Sequence, residues 1–157
     1  MRAGIGFDVH AFAEGRALVL GGVTIPGARG LDGHSDADVL CHAIADALLG
    51  AAALGDLGLH FPSSDAKWKD AVGTDLLERA FVMVSNAGFH VASIDATIVL
   101  EQPSIAPYRD EMRKRVAACC SVDVSEVSIK ATTTDGLGLI GRGEGAAALA
   151  VAMLDAR

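Results

Sequence analysis

The chain has 157 residues, a length that fits one domain with a real buried core, and its formal net charge of −7 argues against non-specific binding to nucleic acid or to an anionic membrane surface. Hydrophobic residues make up 51% and aromatics only 4%, which suggests a tightly packed α/β or α+β protein built from small side chains. Phosphate stays within reach of such an acidic chain only through a metal, backbone amides or a few well-placed cations.

No signal peptide is expected, because the first residues lack a charged segment followed by a long apolar run. No membrane span is expected either, since no stretch of about 18 apolar residues is free of charge. Cys41, Cys119 and Cys120 are odd in number and two are adjacent, a poor disulfide framework. Reduced thiols in a cytoplasmic protein are the expectation.

Residues 2–11 alternate as a strand. Phe7 and Val9 would share a face turned to the core, leaving Asp8 and His10 together on the other. A carboxylate and an imidazole so placed form a hydrogen-bonded pair or supply two ligands to a metal. Residues 16–26 read as a second strand, broken at Gly21 and Gly22 and closed by Pro26, and 28–34 as loop. A helix follows from Ser35 as N-cap, with Asp38 in the place of the capping-box acid. Val39, Leu40, Ala43, Ile44, Ala47 and Leu48 form its apolar stripe, and Gly50 and Gly55 end or weaken it.

Residues 56–73 read as a long loop with room for one short helix. A second helix spans 74–88, with Thr74 as cap and Gly88 as stop. A long strand covers 89–102, a turn and a third helix 103–121, and another strand 125–134. A glycine-rich loop covers 135–145. For "AAALAVAMLDA", residues 146–156, periodicity leaves strand and helix open.

On the first helix His42 stands four residues after Asp38 and four before Asp46, all on one face. Either carboxylate can orient His42 by accepting its second ring N–H, or the group is an exposed His–Asp pairing. In "GHSDAD" His34 and Ser35 precede a helix N-terminus whose amides and dipole favour an anion; simple capping by Ser35 is the plainer reading. "KATTTDGLGLIGRGEG" offers threonine hydroxyls and loop amides to phosphate oxygens, and Asp135 to a divalent cation bridging them. It is not a P-loop. Arg142 and Glu144 share a face if extended, where a salt bridge within the chain or across a subunit boundary is the bland account.

Taken together, "GFDVHAF", "HSDADVLCHAIADALLGAAALGDLG", "FPSSD" and "KATTTDGLGLIGRGEG" resemble the 2-C-methyl-D-erythritol 2,4-cyclodiphosphate synthases of non-mevalonate isoprenoid biosynthesis, almost from end to end. The resemblance implies a single α/β (α+β) domain over 1–157, a mixed sheet with helices packed on one face. It also implies a homotrimer whose sheets enclose a central cavity, with active sites between subunits. The implied substrate is a cytidine-diphosphate-linked methylerythritol 2-phosphate, whose 2-phosphate attacks the β-phosphorus and releases CMP. The implied zinc ligands are Asp8, His10 and His42, with Mg²⁺ or Mn²⁺ at Asp135 as a second divalent cation. His34 and Thr133 would stabilise the transition state. Ser35, Thr132 and Arg142 would meet phosphate, and Asp56 and Gly58 the diol. Phe61 and Asp65 would line the methylerythritol side, and the segment of Leu100, Pro103 and Ala106 would form the cytosine pocket. Arg142 and Glu144 would lie near the central cavity, where an isoprenoid diphosphate is a possible ligand.

Three positions depart from the commonest family pattern. Asp135 is one methylene shorter than the frequent Glu, implying a cation held through water or slightly displaced. Ser63 replaces a frequent Asp, and Leu139 a frequent Phe. Two other readings belong to different classes: a non-catalytic isoprenoid-diphosphate binder, which would not need the intact triad and Thr133, and a zinc phosphohydrolase, for which no extra base or second metal cluster is evident.

Overall fold

The computed structural model describes residues 1–157. Seven strands form: β1 (Arg2–Ala13), β2 (Leu18–Leu20), β3 (Val23–Ile25), β4 (Gly30–Leu31), β5 (Phe89–Val99), β6 (Val127–Thr132) and β7 (Gly145–Ala156). Five helices accompany them: α1 (Val39–Ala51), α2 (Leu57–His60), α3 (Gly73–Asn86), α4 (Arg109–Cys119) and α5 (Gly138–Gly141). The main sheet is mixed, in the order β4-β1-β7-β5-β6, antiparallel throughout except for the parallel β5–β6 pair. Helices α1, α3 and α4 pack on one face of it. No helix is long and apolar enough to cross a membrane.

The C-terminal segment is the central strand, β7, paired along its length with β1 and β5. Its alanines favour helix intrinsically, but burial between two long strands overrides that weak preference. The small residues serve the packing instead. Ala146, Ala148, Ala150 and Ala152 form the face beneath α1, together with Gly4 and Gly6 of β1. A methyl at Gly6 would lie 1.8 Å from the Ala43 carbonyl oxygen, so the helix backbone rests directly on the sheet. With α3 on another flank, α1 is buried nearly all round, which is why its apolar stripe is broad.

This packing reverses the expected facing of β1. Gly4, Gly6, Asp8 and His10 share the helix side, while Ile5, Phe7 and Val9 are exposed on the free face. Leu149 and Val151 of β7 stand across from Phe7 and Ile5 on that same free face. Phe7 and Val9 therefore do not enter the core of the chain; only glycine fits where α1 lies.

Residues 16–26 form a hairpin rather than one strand, because Gly21 and Gly22 both take positive φ (56° and 75°), the backbone of a tight two-residue turn. Helix α1 starts at Val39, later than expected. Its cap is Asp38, whose Oδ1 accepts from Cys41 N at 3.0 Å, not Ser35. Ser35 instead closes a preceding turn by accepting from Ala37 N at 3.2 Å. Helix α3 begins at Gly73 and its first amide is held by Asp36 Oδ2 at 2.8 Å, so Thr74 is not the cap. The 56–73 segment carries α2 and a 3-10 turn over Ala66–Trp68, and α5 sits inside the glycine-rich loop.

Candidate active site

Beyond Gly6 the helix-facing side of β1 continues as Asp8 and His10, and there α1 delivers His42. Asp8 Oδ2 lies 3.0 Å from His10 Nε2 and 3.0 Å from His42 Nδ1. One ligand atom from each residue falls within 4.8 Å of the others, a set able to hold a metal ion. Burial pushes the Asp8 carboxyl up, but the hydrogen bonds and charges of the two imidazoles outweigh it and hold the group well below the usual carboxylate range. The same contact with Asp8 is the largest cause raising His10 above the ordinary histidine value, against its partial burial.

The outward nitrogens of both rings are committed. His10 Nδ1 donates to the Asp32 carbonyl at 2.5 Å. A carbonyl only accepts, so Nδ1 carries the proton and Nε2 is the nitrogen free to bind a cation. His42 Nε2 lies 3.2 Å from Ser35 Oγ, which leaves Nδ1 facing Asp8. Two imidazoles and a carboxylate, each ring fixed from behind, suit a divalent metal ion.

The expected orienting carboxylates do not take that role. Asp38 is fully buried and turned away, accepting from the amides of Gly21, Gly22 and Cys41 at 2.9, 2.7 and 3.0 Å. Asp46 lines the same recess as His42, yet its Oδ1 accepts from Leu57 N at 2.7 Å and anchors α2. Burial, reinforced by the charges of Asp56 and Asp8, raises the Asp46 carboxyl above its ordinary value.

The triad opens on a recess of about 370 Å³ that His34, Ser35, Gly58 and Phe61 also line. Asp56 is not among its lining residues; it caps α2, accepting from Leu59 N at 2.8 Å. Asp65 caps the 3-10 turn, and its carbonyl lies 3.3 Å from His34 Nε2. Ser63 and Trp68 complete this side, with Trp68 edge-on to Phe61 at 4.9 Å. Sequence reasoning passed over Trp68; the signal was available, since it is the chain's one tryptophan, set among turn residues.

A second recess of about 370 Å³ brings Leu100, Pro103, Ala106, Thr132 and Thr133 together. It has no lining residue in common with the triad's recess. Thr133 Oγ1 accepts from Asp135 N at 3.2 Å and lies 3.3 Å from Asp135 Oδ1, and Asp135 is held at φ 53°. Glu101, unnoticed in the sequence, ties the two loops of this recess together by accepting from Thr134 N at 2.7 Å. Arg142 forms the within-chain salt bridge, two nitrogens to Glu144 at 3.0 and 3.2 Å, and lines neither recess.

The fold and this site define a small α+β domain with a three-residue divalent-cation cradle beside a turn and helix N-terminus fit for an anion. Residues 1–155 match the YgbB family. A 2-C-methyl-D-erythritol 2,4-cyclodiphosphate synthase from Chlorobium phaeobacteroides is 57% identical over 157 residues, spanning 100% of this chain and 99% of that one. Its counterpart from Salinibacter ruber is 59% identical over 96% of each chain. A solved structure of 2C-methyl-D-erythritol-2,4-cyclodiphosphate synthase in its CDP-bound form superposes with a TM-score of 0.90 at 32% identity, covering 98% of this chain and 100% of that one. The chain belongs to this family of cyclodiphosphate synthases.

Proposed function

We propose that the protein converts 4-diphosphocytidyl-2-C-methyl-D-erythritol 2-phosphate to 2-C-methyl-D-erythritol 2,4-cyclodiphosphate with release of CMP. The observation that carries this reading is the convergence of Asp8, His10 and His42 on one point in a recess shared with His34 and Ser35. A 2-phosphate oxygen forms the new bond to the β-phosphorus, and the bond from that phosphorus to the bridging oxygen breaks, leaving with CMP. The nucleophile is part of the substrate, so the protein's work is orientation and charge stabilisation.

Asp8, His10 and His42 hold Zn²⁺, which when bound supplies Lewis-acid polarisation of a phosphoryl oxygen. Asp135 holds the second divalent cation, Mg²⁺ or Mn²⁺. His34 and Thr133 place donors at the phosphoryl oxygens where charge builds, assisted by Ser35 and Thr132. Asp56 and Gly58 take the diol, Phe61 and Asp65 the methylerythritol side. Leu100, Pro103 and Ala106 enclose the cytosine, a reading supported by the CDP in a structural relative. Arg142 meets a phosphate edge or the central cavity.

The working form is a homotrimer, with the free sheet faces inward and each site completed by a neighbour. Support comes from the exposed apolar residues on that face and from the disjoint lining of the two recesses in one chain. An isoprenoid diphosphate suits the central cavity, beside Arg142 and Glu144. We place the enzyme in the cytoplasm on its three free thiols.

The test is a product assay on metal-stripped enzyme, then with zinc and magnesium restored, following CMP and the phosphorus spectrum. CMP and cyclic diphosphate in equal amounts, only with metals, are expected. CMP with an open-chain diphosphate would mean a hydrolase, and bound zinc without turnover a binding protein. Asp8→Ala is expected to lose most zinc and activity while the assembly persists; full zinc content with normal turnover would overturn the ligand assignment.

A further inference from the structure

Arg16 lies in the turn between β1 and β2, outside every motif assigned a role above, yet its half-buried guanidinium reaches the turn that leads into α1. Nη1 donates to the Gly33 carbonyl at 2.8 Å, and Nη2 donates to the Ser35 carbonyl. The carbonyl between them, that of His34, accepts from Asp70 N at 2.8 Å. The same turn presents Ser35 Oγ to His42 Nε2 at 3.2 Å and carries the Asp32 carbonyl that fixes His10 Nδ1 at 2.5 Å. Three consecutive carbonyls are thus pinned from outside, two of them by one planar fork.

We propose that Arg16 is a positioning residue for the metal and phosphate site: by clamping the Gly33 and Ser35 carbonyls it sets Ser35 Oγ behind His42 and holds His34 at the mouth of the recess. The inference rests on the metal reading given under the proposed function. A guanidinium suits the task because its rigid donors span two acceptors at once, which a lysine ammonium on a flexible stem does less well. Both partners are neutral carbonyls, and Asp36 and Asp70 line the same small recess as Arg16, so the guanidinium acts here as a fork of donors rather than as a free charge. Groups that orient metal-bound histidines change metal affinity by about 10–100-fold when removed. Arg16 acts one step further back, through the backbone that places such a group.

The test compares zinc affinity by chelator competition in full-length wild type, Arg16→Ala, Arg16→Lys and Asp8→Ala, with the visible spectrum of the Co²⁺-loaded forms. Arg16→Ala is expected to bind zinc about tenfold more weakly. Its saturated cobalt spectrum is expected to shift, its kcat to fall, and Arg16→Lys to recover part of each. A folded Arg16→Ala with wild-type zinc affinity and an unaltered cobalt spectrum would overturn the proposal, whatever its melting temperature. Should Arg16→Ala fail to fold, Arg16→Lys keeps the stem and charge and carries the same comparison, with unchanged affinity overturning it. Failure of the metal reading shows differently, as equal zinc binding by wild type and Asp8→Ala, and the Arg16 proposal falls with it.

Discussion

Gly6 and Gly50 look alike in the sequence and are opposites in the structure. A methyl at Gly6 would stand 1.8 Å from the Ala43 carbonyl oxygen, whereas one at Gly50 meets nothing within 4 Å. Gly6→Ala must therefore lift α1 off the sheet and carry His42 away from Asp8. The expected cost is about 3 kcal/mol or more in chemical denaturation, with weakened zinc retention. Gly50→Ala is expected to stabilise by about 0.5–1 kcal/mol, as alanine replaces glycine inside a helix without a clash. Equal effects at the two positions would contradict the close helix–sheet contact. Asp8 and His10 were legible as a pair open to a metal because D-x-H alternation is a local pattern, whereas His42 joined them only through the family resemblance. The triad's orienting partners were missed. The Asp32 carbonyl was invisible because a backbone oxygen has no letter, and Ser35 was read as the helix cap because the true start at Val39, capped by Asp38, was not legible.

At the scale of elements, one buried carboxylate joins a helix to a hairpin. Asp38 caps α1 and holds both amides of the β2–β3 turn, with no solvent contact. Asp38→Ala leaves those three donors without partners and is expected to cost about 3 kcal/mol or more, read from denaturant midpoints. Asp38→Asn should fall between, because it sheds a buried charge but turns an amide NH₂ toward Gly22. An Ala variant within 0.5 kcal/mol of wild type would mean that the hairpin is held elsewhere. Helices α1, α3 and α4 and the long strands were readable to within a few residues, whereas β7 was ambiguous because an alanine run has no period. Only its place between β1 and β5 decides the matter.

For the whole molecule, the exposed row of Ile5, Phe7, Val9, Leu149 and Val151 is the feature that a lone chain leaves unexplained. On the proposed assembly these residues meet partner subunits, and the triad's recess gains the nucleotide recess of a neighbour. Phe7→Glu combined with Leu149→Glu is expected to give monomers in sedimentation experiments. Zinc should still bind, since all three ligands lie within one chain, while CMP release falls by orders of magnitude. A trimer that survives both changes would place the subunit contact on another face. The reversed facing of β1 has the same origin, because a strand read alone says which residues share a side but not which side meets the helix.

On the proposed assembly, strand β1 carries two messages in alternate letters, one addressed to the cation and one to the neighbouring subunit. Deleting a single codon between positions 4 and 8 would exchange them, turning ligands outward and interface residues inward. Any change of length in this stretch would, on that assembly, disturb the cation cradle and the subunit contact at one stroke.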